Sequence, residues 1–161
     1  MTISLKRLAK LSGKKVTVYS VQLDNGTDLF DQFLNENTAE YENDVKNILQ
    51  RIRAMSRKSG AQDHFFKTKE GNPGDGVCAL YDTPEKHLRL YCIKMGNTVL
   101  ILGGGGTKPE GIKALQEDPK LKDENYLLRD ISKEITDKMI SGEIRFSDDE
   151  LELLGDIISY E

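Results

Sequence analysis

Leu88–Lys108 reads LRLYCIKMGNTVLILGGGGTK, two apolar runs rich in strand-forming residues that flank a Gly-Asn dipeptide. Such a pattern predicts a β-hairpin. Gly96 and Asn97 would be the central residues of a type II′ turn, because glycine adopts positive φ without a steric penalty. A two-residue turn places Met95 opposite Thr98 and determines the register of the whole hairpin.

In this register Arg89 lies opposite Gly104. Side chains alternate along a strand, so neighbouring residues of the first strand face opposite sides of the sheet. We expect the apolar set to face the core, and the glycines to leave the polar set open to solvent. The polar set is His87, Arg89 and Tyr91, and the apolar set is Leu88, Leu90 and Cys92.

The length of 161 residues suits a single domain covering residues 1–161, with enough buried surface for a core. The two cysteines, Cys78 and Cys92, lie in apolar runs. Unpaired cysteines in such runs behave as small hydrophobic residues, which favours a reducing compartment. The N-terminal residues lack the apolar run of a signal peptide, and we therefore expect a cytoplasmic protein.

Charge is distributed unevenly along the chain, whose net charge is −4. Residues 51–116 contain 11 basic and 6 acidic side chains, whereas residues 117–161 contain 6 basic and 14 acidic ones. Wholesale nucleic-acid binding is not expected of the acidic chain, but its middle third is basic. The acidic segment serves either as a solubilising surface or as a mask for the basic part, and the sequence does not distinguish these roles.

Periodicity and turn residues predict the other elements. Residues 1–12 form either a short amphipathic turn or a frayed leader. Elements predicted before the hairpin are a strand at 16–23, a helix from 28, a longer helix at 39–59 with Asn37 as N-cap, a strand at 64–69, a mobile flap at 70–76, a strand at 77–81 and a turn at 82–86. Elements predicted after it are a helix capped by Thr107 and Glu110, a helix at 127–139, and a short helix capped by Ser147 and Glu150.

This order predicts an α+β fold rather than α/β. An antiparallel sheet of three or four strands would pack the side that carries Leu88, Leu90 and Ile101 against the helix at 39–59. The acidic segment 117–161 would form a helical C-terminal extension, because its apolar stripes from Asp123 onward need burial.

Gly103–Gly106 lead towards a predicted helix start, where free amides and the helix dipole favour an anion. The run is not a P-loop, since Lys108 is followed by proline. Two interpretations remain: a phosphate cradle, or a place where the chain bends and packs closely. The histidines, His64 and His87, have no cysteine or acidic neighbours at metal-ligand spacing, and neither cysteine lies on a strand-to-helix elbow. We expect no metal and no cofactor.

The run Arg89–Lys94 (RLYCIK), the short turn, the apolar strand Val99–Leu102 (VLIL) and the basic residue Lys108 resemble the RelE/HigB/ParE superfamily of toxins from toxin–antitoxin systems. The resemblance covers about residues 16–116. It implies a RelE-like β-α-α-β-β-β domain with two N-terminal helices and ribosome-dependent cleavage of mRNA, or an attack on gyrase in the ParE branch. It also implies a cognate antitoxin, possibly with a helix-turn-helix.

By this resemblance Arg89 takes the place of the strand arginine and Lys108 that of the basic residue after the last strand. Arginine suits a phosphate clamp, because its planar fork grips two oxygens. His87 suits a general base or acid, and Tyr91 can orient or stack on a base. A non-enzymatic interaction module is the alternative. The predicted RNA-binding residues beside this catalytic set are Lys67, Lys69 and His64.

Overall fold

The computed structural model describes residues 2–81, 87–108 and 118–161. Its strands are β1 (Ile3–Arg7), β2 (Thr17–Leu23), β3 (Phe66–Lys67), β4 (Val77–Leu80), β5 (Leu88–Met95), β6 (Val99–Thr107), β7 (Arg145–Phe146), β8 (Leu153–Leu154) and β9 (Ile158–Tyr160). Its helices are α1 (Leu29–Asn37), α2 (Glu42–Ala54) and α3 (Pro119–Ile140). A π-helical turn, Met55–Ser59, continues α2, and a 3₁₀ turn, Asp63–Phe65, precedes β3.

Within the described ranges the main sheet has seven strands in the order β3-β4-β5-β6-β2-β1-β9. Most neighbours are antiparallel, but β2 pairs with β6 and β1 pairs with β9 in parallel. The predicted RelE-like antiparallel sheet of three or four strands is therefore wrong. The protein has a larger, mixed α/β architecture, because the chain termini also contribute strands to the sheet.

Both faces of this sheet are covered. The α1/α2 face buries Leu88, Leu90 and Cys92 with apolar residues of α1 and α2. The α3 face buries Tyr91 and Ile101 with apolar residues of α3. Ile101 was predicted to share a face with Leu88 and Leu90, and this is wrong, since its register position turns it towards α3. The residues of α3 that enter this core are Leu121, Leu128, Ile131 and Ile135.

The N-terminal helices form as their apolar spacing predicts, but their boundaries differ. Asp28 caps α1, because its side chain accepts a hydrogen bond from the amide of Asp31. Asn37, the predicted cap of the second helix, is instead the last residue of α1, and its side-chain amide donates to the carbonyl of Phe33. The second helix therefore begins at Glu42, later than predicted.

The two chain ends were not recognised as strands. Residues 1–12 were expected to form either an amphipathic turn or a frayed leader. They contain β1 instead, which pairs with β2. The helix predicted after Ser147 is wrong: Ser147 and Glu150 belong to the turn between β7 and β8, where the amide of Glu150 donates to the Ser147 carbonyl. Farther on, β9 adds to the sheet beside β1. The helix predicted at 127–139 is the main part of α3.

The hairpin of β5 and β6 forms, with a different register. Met95 pairs with Val99 rather than Thr98, so that three residues make the turn, with Gly96 at a φ of 60°. Arg89 pairs with Gly106 rather than Gly104. The difference arises from the longer turn and from a bulge in the glycine run.

Two predicted elements, the turn at 82–86 and the helix that Glu110 was expected to cap, lie outside the described residues. Among the helices described, none has the length and apolar character that crossing a membrane requires.

Candidate active site

The candidate site lies where the residue before β5, His87, contacts Asp44 in the first turn of α2. The carboxylate of Asp44 accepts a hydrogen bond of 2.6 Å from the backbone amide of His87. The Nδ1 atom of the same histidine lies 3.4 Å from that oxygen. The His87 side chain is 62% exposed and that of Asp44 only 10%. A buried carboxylate thus binds the backbone amide of His87 and contacts one nitrogen of its exposed imidazole.

Two further residues complete this site. Tyr41, immediately before α2, places its ring centroid 5.2 Å from that of His87, with the rings inclined by 32°. The backbone amide of Lys108 donates a hydrogen bond of 2.7 Å to the carbonyl of His87, which places the end of β6 beside the histidine. The site thus combines an exposed imidazole, a buried carboxylate and an aromatic ring, with the backbone of Lys108 next to the histidine.

Arg89 and Tyr91 do not share this side of the sheet. Tyr91 is fully buried in the core beneath α3. Strand alternation places the half-buried Arg89 on the α3 face as well, whereas the side chain of His87 approaches α2. The expectation that the polar set lies on one open face is therefore wrong. A ring without exposed surface cannot stack on a nucleic-acid base while α3 is in place.

The glycine run is buried strand rather than a phosphate cradle. Leu90 pairs with Gly105 and Cys92 with Leu102, so that two residues, Gly103 and Gly104, bulge opposite Tyr91. A Cβ at Gly104 would lie 2.2 Å from the Glu124 carboxylate of α3, and one at Gly103 would lie 3.0 Å from Leu128. The glycines permit close packing of α3 on β6, which is the second interpretation of the run.

The predicted RNA-binding residues lie at the β3 edge of the sheet. Lys67 is half-buried within β3, and Lys69 is exposed just after it. His64 is exposed in the preceding 3₁₀ turn, where its ring lies 4.0 Å from that of Phe65. Their role in binding RNA stays a prediction.

The loop at 70–76, predicted as a mobile flap, is tied to α3. The side chains of Asn125 and Arg129 both donate hydrogen bonds of 2.9 Å to the carbonyl of Glu70. The hydroxyl of Ser132 donates one of 2.5 Å to the carbonyl of Asp75. These bonds join both ends of the loop to α3, which disfavours a freely opening flap.

Sequence reasoning missed Asp44 and Tyr41. An acidic residue in the first turn of α2 has an ordinary explanation in the helix dipole, so that Asp44 attracted no attention. Only the tertiary packing of α2 on the sheet brings it to His87, 43 residues away in the chain. Across the residues described, no group of three or more His, Cys, Asp or Glu side chains could hold a metal ion.

Comparisons of the chain with protein-family models, with curated proteins and with solved structures found no match.

Proposed function

We propose that this protein is a metal-free endoribonuclease that cleaves mRNA on the ribosome as the toxin of a type II toxin–antitoxin pair. The observation that carries the proposal is the exposed imidazole of His87, which contacts the buried carboxylate of Asp44 and belongs to a residue paired through its backbone with Lys108. The resemblance of the β5–β6 hairpin to the toxin superfamily supplies the substrate class. The mixed seven-stranded sheet does not contribute to this proposal.

The chemistry requires a base, a positive charge and an acid. Nε2 of His87 takes the proton from a ribose 2′-hydroxyl, and the resulting oxygen attacks the adjacent phosphorus. The charge of Lys108 stabilises the phosphorane as the bond from phosphorus to the 5′ oxygen breaks. An acid protonates the leaving oxygen, so that the products end in a 2′,3′-cyclic phosphate and a 5′-hydroxyl. Tyr41 offers an aromatic surface beside the base.

A non-enzymatic interaction module is the second candidate, and it includes an inactive or gyrase-directed toxin relative. It is favoured by the burial of Tyr91 and by the position of Arg89 on the α3 face, which remove two predicted catalytic residues from the side of His87. Such a module would bind its partner without cleaving RNA.

A reconstituted translation reaction, with mRNA cleavage followed by primer extension, separates the two candidates. We expect wild type to cut mRNA in the presence of EDTA, and His87→Gln to lose about 10²–10⁴ in rate, the usual contribution of general acid–base catalysis. Lys133→Gln is the control, because Lys133 is an exposed residue of α3 with no role in the proposed site. Thermal melts of all three proteins check folding.

Two results would reject the enzymatic proposal. If wild type neither arrests translation nor cuts mRNA, the interaction module replaces it. If His87→Gln cleaves as fast as wild type, the site is wrong. The cognate antitoxin is tested independently by the gene neighbourhood: a helix-turn-helix protein or a short acidic reading frame next to this gene supports it, and an isolated gene that is harmless when overexpressed opposes it.

A further inference from the structure

Five cations gather at the end of α2 that lies far from His87. Within residues 2–81, 87–108 and 118–161, none of the five forms an ion pair with a carboxylate at 4 Å or less. All are exposed except Arg53, which is half-buried. We call this set the distal basic surface, and its members are Lys14, Lys15, Arg53, Arg57 and Lys58.

Two separate segments are joined to make this surface. The amide of Lys15 donates a hydrogen bond of 2.8 Å to the carbonyl of Ser56, in the π-helical turn that follows α2. At Gly13 the chain comes so close that a Cβ would lie 2.5 Å from the same carbonyl oxygen. The loop that carries the two lysines is therefore held against the turn that carries Arg57 and Lys58.

The helix dipole explains only part of this charge. Cations in the last turns of a helix interact favourably with its C-terminal carbonyls, which accounts for Arg53, Arg57 and Lys58. Lys14 and Lys15 belong to the loop between β1 and β2 and have no such reason to lie there. Five cations gathered on one surface of a chain whose net charge is −4 therefore indicate an anionic partner.

We propose that the distal basic surface binds the phosphate backbone of single-stranded RNA, away from the cleavage site at His87. This inference takes its ligand class from the proposed function. Arg57 lies 13 positions after Asp44 in a continuous helical segment, which corresponds to about 20 Å at ~1.5 Å per residue. At ~3.4 Å per phosphate of a stacked strand, one RNA molecule needs roughly six nucleotides to reach both sites. Arginine and lysine at these positions contact phosphates and give affinity without sequence preference.

The test measures binding without cleavage. A 2′-O-methylated RNA 12-mer, which cannot be cut, is titrated against wild type and a variant with all five cations replaced by glutamine. We expect the five-cation variant to bind at least about tenfold more weakly than wild type at 50 mM salt. The slope of log affinity against log salt should become shallower by about 0.7 for every phosphate that the variant no longer neutralises.

The matched control removes the same charge elsewhere by replacing Lys10, Lys46, Lys122, Lys133 and Arg145 with glutamine, all of them outside the surface. The inference is overturned if wild type does not bind the 12-mer, or if both five-charge variants bind it equally. It is also overturned if a polyglutamate peptide of equal charge binds wild type as tightly as RNA does, since the partner is then an acidic protein. Absence of mRNA cleavage with retained binding would count against the proposed function alone.

Discussion

Gly105 of β6 lies against the carbonyl of Arg89 on β5, at the point where the bulge ends and Leu90 pairs with Gly105. A Cβ at Gly105 would be 1.9 Å from that oxygen and 2.9 Å from its carbonyl carbon. Neither atom can move without displacing the strand. Glycine is therefore required here by close backbone approach between two strands, rather than by an anion.

Replacement of Gly105 by alanine should destabilise the protein strongly. The clash is with backbone, so we expect a loss of about 3 kcal/mol or more, at the upper end of overpacking effects. Gly106→Ala is the matched control, because the nearest neighbours of its Cβ would be side chains rather than backbone, with Lys120 at 3.2 Å and Leu121 at 3.7 Å. We expect it to cost about 1 kcal/mol or less. Urea denaturation of both variants measures the difference, and equal destabilisation would contradict the bulge geometry.

The thiols of Cys78 and Cys92 should be unreactive in the folded protein. The two residues pair directly across β4 and β5, and both are buried. Burial raises the pKa of Cys78 to about 12 and that of Cys92 well above its ordinary value. Because the thiolate is the nucleophile, iodoacetamide at pH 8 should label neither residue until guanidinium unfolds the chain. Stoichiometric labelling of native protein, with unchanged circular dichroism, would show that this core opens.

Stability should fall in acid because of Asp28. Burial alone would raise the pKa of this carboxyl, but hydrogen bonds from Lys6, Ser20 and the amide of Asp31 hold it below its ordinary value, with Lys6 Nζ at 2.7 Å. A lowered pKa contributes stability above the unfolded value of about 3.9, and that contribution disappears as pH falls through the folded pKa.

Asp28→Asn retains a capping side chain but lacks the charge. We therefore expect its melting temperature to drop less than that of wild type between pH 5 and pH 3, and to be lower than that of wild type at pH 7. Asp24→Asn, at an exposed position of the preceding turn, should follow wild type throughout. Parallel pH curves for wild type and Asp28→Asn would disprove the assignment.

Asp44 should act as a positioning residue for His87. With Asp44→Asn we expect cleavage to fall roughly 10²-fold or more, as when a carboxylate that orients a catalytic imidazole is removed. The double variant with His87→Gln should be no slower than His87→Gln alone, because groups acting as one unit are not additive. A shifted pH–rate profile in Asp44→Asn and partial rescue by Asp44→Glu would separate positioning from a purely structural role. Unchanged cleavage would remove Asp44 from the site.

The sequence pattern predicted correctly those features that depend on a single strand or helix, such as which side chains share a face. Alternation along Leu88–Met95 correctly separated Leu90 from Tyr91, since successive side chains of a strand point to opposite sides whatever the partner. The apolar stripes likewise located α1, α2 and most of α3. The helix boundaries were predicted less accurately. Asparagine is found both at the N-cap of a helix and at the end of one, and Asn37 is the last residue of α1.

Only part of the candidate site was predicted from the sequence. His87 and Lys108 were selected from the sequence, but their carboxylate partner Asp44 has an unremarkable place in the first turn of a helix. Tyr91 was selected because its side of the strand was expected to be open, an assumption about what lies above the sheet. Its catalytic role stays a prediction that the burial of the ring disfavours.

The sequence by itself determined which segments near the hairpin are strands and helices, which side chains of β5 share a face, and where the glycines of β6 lie. Tertiary structure alone decided that β1 and β9 join the sheet, that β2 lies parallel to β6, and that α3 covers the side of Arg89 and Tyr91. The physical reason is the distance along the chain between the residues that interact. Facing and helix periodicity depend on residues a few positions apart, whereas parallel pairing and the cover of a face depend on segments separated by most of the chain.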